Sequence, residues 1–108
     1  MKPRRGEVWW VRLDPTLGSE IRKTRPCVVA GTNVLNERRA TVVVVPLSSS
    51  PPAAPPLLVP VSCAGREAVA VTDQIRAVAK RRLSRRMGAL SSEDLLAVEN
   101  GLRIVLEL

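Results

Sequence analysis

The stretch Thr41-Val42-Val43-Val44-Val45-Pro46-Leu47-Ser48 lies near the middle of the chain and decides its architecture. A threonine followed by four valines is β-branched throughout and offers no polar face, so the run reads as a strand buried on both sides. Pro46 lacks the ladder donor and is expected to end that strand, leaving the hydroxyl of Ser48 rigidly placed beyond it. Upstream, Pro26 disfavours helix at Arg25 and opens a strand over Cys27–Thr32, while Glu7–Leu13, rich in Val and Trp, forms a first strand closed by the turn signal Asp14-Pro15. Between them Thr16–Thr24 is a polar loop, and Asn33–Arg39 holds turn formers and charge. Downstream, Ser48–Pro56 is an extended proline-rich loop, Leu57–Val61 a further strand, Ala64–Glu67 a turn and Ala68–Ala79 a long β segment. At the C-terminus the period changes. Ser91 and Asp94 are spaced as a capping box, Leu90 and Leu95 as a hydrophobic staple, and Leu95, Val98, Leu102 and Val105 recur on one face, which predicts a helix over Ser92–Leu106. Short strands with one terminal helix imply a mainly β fold, a small and partly open barrel.

With 108 residues the chain holds one modest core, and residues 1–108 are expected to form a single domain. Hydrophobic residues make up 45% of it, yet Phe and Tyr are absent and Trp9 and Trp10 are the only aromatics, so the core is aliphatic. Sheets that stack nucleobases on several exposed rings lose their support. Histidine is absent too, which removes imidazole acid–base catalysis and every His-containing metal site. The charge-free stretch Ala40–Gly65 is long enough to raise the question of a membrane span, but Pro46, Pro51, Pro52, Pro55, Pro56 and Pro60 would break any spanning helix. Cys27 and Cys63 read as reduced, buried thiols of a cytoplasmic protein, because Met1–Arg5 is basic and leads into a strand instead of a signal peptide.

The net charge is +7, and it is unevenly placed. Residues 1–89 carry sixteen cations against six acids, whereas residues 90–108 carry Arg103 against Glu93, Asp94, Glu99 and Glu107. The body therefore suits a polyanion, since guanidinium groups grip phosphate oxygens in pairs, although a merely soluble basic surface has the same composition. Gly18-Ser19-Glu20-Ile21-Arg22-Lys23-Thr24-Arg25-Pro26 places a carboxylate and three cations in a loop that opens into a strand. Phosphodiester cleavage without metal or histidine needs a group to deprotonate the attacking 2′-hydroxyl, a cation for the phosphorane and donors that hold the phosphate. Glu20, Arg25 and the Ser48 hydroxyl have those chemistries, and a neighbouring strand could bring Ser48 beside Arg25. The ordinary alternative from spacing alone is a solvated basic loop and a serine-rich turn.

The ordered set Arg4-Arg5-Gly6-Glu7-Val8-Trp9, Leu13-Asp14-Pro15, Gly18-Ser19-Glu20, Thr24-Arg25-Pro26-Cys27-Val28-Val29, Pro46-Leu47-Ser48, Asp73-Gln74-Ile75-Arg76 and Arg82-Leu83 resembles the MazF/PemK/Kid toxins over almost the whole chain. The resemblance implies an SH3-like barrel of the CcdB/PemK type with a C-terminal helix, assembled as a homodimer. It also implies sequence-specific, metal-independent cleavage of single-stranded RNA that inhibits translation. No cofactor and no membrane are expected, and the partner that the resemblance implies is an acidic, MazE-like antitoxin whose flexible tail covers the RNA groove. By that resemblance Arg25 stabilises the phosphorane and protonates the 5′-leaving oxygen, Ser48 supplies the hydroxyl after the Pro-Leu step, and Glu20 is the general base. Ser19, Arg22, Lys23, Ser49 and Gln74 are the expected RNA contacts.

Two departures are specific to this chain. Ile21-Arg22-Lys23 stands where relatives often carry Gln-Gly-Gly, giving a stiffer and more cationic loop. The Pro51–Pro56 run borders the expected groove, so a relative's recognition sequence does not transfer. Two other functions fit the same fold: a CcdB-like toxin that binds a protein target such as a gyrase, and a degenerate member that binds RNA or antitoxin without cutting. Adjacent on a strand, Trp9 and Trp10 must face opposite ways, one inward and the other toward a dimer contact or the surface. Lys80-Arg81-Arg82 with Arg85-Arg86 reads as a solvated basic face that could also attract RNA or antitoxin. Asp73 and Glu67 lack the carboxylate company of a magnesium site.

Overall fold

The structure is a computed structural model that describes residues 2–13, 18 and 23–108. The expected Asp14-Pro15 turn, and Ser19, Glu20 and Arg22, lie outside the described residues. In chain order the elements are β1 (Glu7–Arg12), β2 (Thr24–Val29), α1 (Asn33–Arg38), β3 (Thr41–Ser48), β4 (Leu58–Cys63), β5 (Arg66–Val71), β6 (Arg76–Ala79), β7 (Leu83–Ala89) and α2 (Ser92–Leu106). Single 3-10 turns occupy Thr72–Gln74 and Lys80–Arg82. The strands form one curled antiparallel sheet in the order β4-β5-β3-β2-β1-β7, with β6 also paired to β3. The fold is mainly β, a half-barrel closed at one end by α2.

β3 is the hub. It pairs with β2 along one edge, and along the other first with β6 and then with β5. Val42, Val44 and Val45 are buried almost completely, as the valine run predicts. Val44 packs with Trp9, Val11, Cys27, Val29 and Leu83 on one face, while Val45 and Leu47 pack with Val8, Val28, Val61, Ala70 and Val98 on the other. Full burial of each such side chain contributes roughly 1.5–3 kcal/mol, which is why the sheet curls to cover both faces.

Several boundaries differ from the sequence expectation. β3 runs through Pro46 to Ser48, because Pro46 falls between Val44, the last residue paired to β6, and Leu47, the first paired to β5, where that edge asks for no donor. β2 begins at Thr24 and ends at Val29, since its outer half is recruited by pairing with Val11 and Arg12. Asn33–Arg38 is a short helix, capped by the Thr32 hydroxyl, which accepts from Val34 N at 3.1 Å. The long segment Ala68–Ala79 is broken by the turn Thr72–Gln74 into β5 and β6, which sit beside different halves of β3. Arg66 and Glu67 belong to β5, and the turn is only Ala64-Gly65, both at positive φ, the two-residue hairpin geometry. β7 carries no alternating pattern and exists because β1 offers it an edge.

The C-terminal helix spans Ser92–Leu106 as expected. Ser91 Oγ accepts from Asp94 N at 3.1 Å, but the Asp94 carboxylate does not complete the box; it accepts from Ser62 N at 3.0 Å and ties the helix to β4. Buried Val98, with Leu95 and Leu102 partly buried beside it, seats the helix on the core. Among the described residues no helix is long and apolar enough to cross a membrane.

Gly101 lets α2 approach the chain closely: a Cβ built there would lie 2.6 Å from Pro56 O and 3.0 Å from Thr72 Cγ2. Gly101→Ala should therefore destabilise the protein by about 1–3 kcal/mol through overpacking, against the roughly 1 kcal/mol that alanine gains over glycine in a free helix. Thermal unfolding of the variant tests this, and an unchanged or higher Tm would mean that the helix can shift without loss.

Candidate active site

Antiparallel pairing of β2 with β3 matches Val29 to Val44, Val28 to Val45 and Cys27 to Pro46. Extending that register by two residues sets Arg25 opposite Ser48, just beyond the last pair. Both side chains line one recess, together with Pro26, Leu47 and Ser49. Its other wall comes from the β4–β5 hairpin. Cys63 and Arg66 pair across the turn there, and Arg66, Glu67 and Ala68 face the recess with Val61 and Met87.

The Arg25 side chain is half-buried, and its Nε is buried without a hydrogen-bond partner among the described residues. A buried guanidinium donor left unsatisfied by those residues is suited to an anion's oxygen. Ser48 Oγ accepts from Ser50 N at 3.2 Å, which orients the hydroxyl and leaves its hydrogen able to donate. Among the described residues the recess thus combines two guanidinium groups, two serines and one exposed carboxylate on paired strands and the β4–β5 hairpin.

Of the residues expected from sequence, Arg25, Ser48 and Ser49 meet in this recess. Lys23 does not line it; at φ +67° it lines a separate cationic cleft with Arg12, Thr24, Arg81 and Arg82. Gln74 sits in the turn after β5, toward the Val44 end of β3 and away from Ser48. Ser19, Glu20 and Arg22 lie outside the described residues. Arg66 and Glu67 were missed because Ala64–Glu67 reads as a turn. The signal that could have found them is Ala64-Gly65 as a two-residue hairpin turn, which makes Arg66 the first residue of a returning strand.

The family model for PemK-like, MazF-like toxins of type II toxin–antitoxin systems matches residues 4–106. The chain belongs to this family. It is 34% identical to endoribonuclease MazF9 of Mycobacterium tuberculosis over 97% of both chains. Its fold superposes on the crystal structure of MazF from Deinococcus radiodurans with a TM-score of 0.88 at 22% identity, covering 100% of this chain and 99% of that one. It also matches a mycobacterial endoribonuclease in complex with its cognate antitoxin, with a TM-score of 0.80 at 21% identity over 98% and 96% of the two chains.

In this PemK/MazF-family chain Cys63 lines the recess and Cys27 lies in the core beneath β2, and neither thiol is activated. Burial pushes the Cys27 thiol up to about 12, against the opposing pull of Arg76, and its Sγ rests 3.7 Å from Arg25 O. Burial also raises the Cys63 thiol, with Arg86 working in the opposite direction. Neither supplies a thiolate at neutral pH. Both cysteines should resist alkylation at pH 8 in the folded protein and react fully once it is unfolded; rapid labelling of the native chain would show an activated thiol.

Proposed function

We propose that the chain is an endoribonuclease toxin that cuts single-stranded RNA sequence-specifically, without a metal, at the Arg25–Ser48 recess. The observation that carries this reading is the register of β2 and β3, which brings a buried, unsatisfied guanidinium donor opposite an oriented hydroxyl. The endoribonuclease relatives and the charge of +7 support a phosphodiester polyanion as its ligand.

In the proposed reaction the 2′-oxygen attacks the adjacent phosphorus, forming the P–O2′ bond, and its proton passes to a base, assigned to Glu20 by family resemblance. Arg25 bonds the developing phosphorane, and Ser48 donates to a non-bridging oxygen. The P–O5′ bond then breaks and the 5′-oxygen takes a proton, leaving a 2′,3′-cyclic phosphate and a 5′-hydroxyl end. Stabilisation of charge falls to the Arg25 guanidinium, so a divalent cation at the same phosphate would be repelled by it.

Incubation with a long single-stranded RNA in EDTA should give discrete cuts that map to new 5′-hydroxyl ends. Arg25→Ala should lower the rate by about a hundredfold or more with the fold intact, since a preorganised donor to a developing oxyanion typically contributes 10²–10³-fold. Ser48→Ala should cost less and Ser48→Thr little. Loss of cutting in EDTA with rescue by magnesium, or an Arg25→Ala variant as fast as wild type, would move the chemistry elsewhere.

The partner proposed for the same groove is an acidic antitoxin segment, supported by the neighbour solved with its cognate antitoxin and by the basic body of this chain. A homodimer is the proposed assembly. Binding of an acidic antitoxin peptide and of a saturating uncleavable RNA should be mutually exclusive, and salt should weaken the peptide mainly through its on-rate. Unchanged peptide affinity in the presence of RNA would mean separate sites.

A further inference from the structure

The reaction above leaves unused two residues that lie beside the recess. Trp9 is 8% exposed and donates its Nε1 to Glu7, which puts Trp10 on the opposite face of β1, half-exposed. There Trp10 pairs with Pro26, itself part of the recess lining, so the indole stands at the edge of the site. Two guanidinium groups lie over its ring, Arg66 at 5.5 Å and Arg85 at 5.6 Å from the centroid. Arg85 comes from β7, where it pairs directly with Trp10, and does not line the recess. Arg66 comes from the tip of the β4–β5 hairpin and does line it, with Arg25 and Ser48. None of the ion pairs among the described residues includes Arg66.

An exposed arginine at a hairpin tip has many rotamers, and an aromatic face selects those that lay the guanidinium on the ring. We propose that Arg66 is a second cation for the scissile phosphate and that Trp10 is the positioning residue that holds its guanidinium over the recess. The proposal rests on the reading of the recess as an RNA-cleaving site. A phosphodiester carries one negative charge and the phosphorane derived from it carries two, so a second fixed guanidinium interacts more strongly with the transition state than with bound RNA. Arg66 therefore acts on the rate at saturation more than on affinity, and Trp10 acts only through Arg66.

The test uses single-turnover cleavage at saturating RNA, alongside binding of the same RNA made uncleavable by a 2′-deoxy nucleotide at the cut. Arg66→Ala should slow cleavage about thirtyfold or more while weakening uncleavable RNA less than about fivefold. Arg66→Lys, which keeps the charge and loses the planar fork, should fall between. Trp10→Ala should slow cleavage about tenfold, Trp10→Phe should return to within about threefold of wild type, and Trp10→Ala should add nothing in the Arg66→Ala background. Arg85→Ala, which takes a cation from the same ring but not from the recess, should stay within about threefold.

If the wild-type chain cuts RNA and Arg66→Ala cuts it equally fast, the second cation is refuted while the reading of the recess stands. If the wild-type chain cuts no RNA, that reading fails and this one with it. Additive losses for Trp10→Ala and Arg66→Ala, or a loss of RNA affinity as large as the loss of rate, would mean that Trp10 touches RNA itself and would overturn its positioning role. Loss of the dimer on Trp10→Ala, with unchanged rate per folded chain, would assign the ring to a subunit contact and overturn it equally. Should Arg66→Ala fail to fold by circular dichroism, Arg66→Lys decides: a wild-type rate at saturation refutes the need for a planar guanidinium there.

Discussion

β3 buries both of its faces, and most of the molecule follows from that one constraint. A strand with valines on each side cannot lie on a single core, so the sheet must curl until other strands cover it above and below. The same strand must satisfy its backbone along both edges, which recruits β2 on one side and β5 and β6 on the other. Slipping β3 against β2 by one residue would turn Val44 and Val45 to the wrong cores, so their register is strongly specified. Arg25 and Ser48 are thereby set opposite each other by apolar residues that take no part in any chemistry.

Charge is distributed to match. Among the described residues the ion pairs Arg4–Glu37, Arg5–Glu99 and Arg86–Glu7 tie down the N-terminal segment, α1, α2 and β7, and none contains a residue that lines the recess. Glu7 shows the balance within such a pair: burial works to raise its carboxyl, but the Arg4 amide, the Trp9 indole and the Arg86 guanidinium together hold it below the usual carboxylate value. That contribution to stability is present at neutral pH and is lost as the pH falls through the folded-state value. Among the described residues the acids are thus engaged mostly outside the recess, which Glu67, an exposed carboxylate, lines together with Arg25 and Arg66. Their field is left for a ligand.

Local signals were legible where they were self-contained. The helix over Ser92–Leu106 was readable because its cap, its staple and its apolar face all lie within the segment, and the valine run was readable because its burial is written in its composition. Elements that depend on a neighbour were not. Pro46 ends an isolated strand but not one whose edge partner changes at that residue. Ala68–Ala79 has strand composition throughout, yet it must bend at Thr72–Gln74 to reach two different parts of β3. Leu83–Ala89, with adjacent arginines, becomes a strand only because β1 has an open edge.

For the site, the available chemistry is written in the residues: no imidazole, an excess of guanidinium, hydroxyls after a buried strand and an ordered set of motifs that marks the PemK/MazF family. Adjacent on a strand, Trp9 and Trp10 also had to face opposite ways. Which groups meet follows from the folded sheet. Arg25 and Ser48 are far apart along the chain and come together through a register set by valine packing. Arg66 joins them because a two-residue hairpin returns it to the same mouth, while Lys23, two residues from Arg25, points into a different cleft. Side-chain chemistry is a property of single residues, whereas proximity depends on how apolar burial and backbone pairing are satisfied over the whole sheet at once.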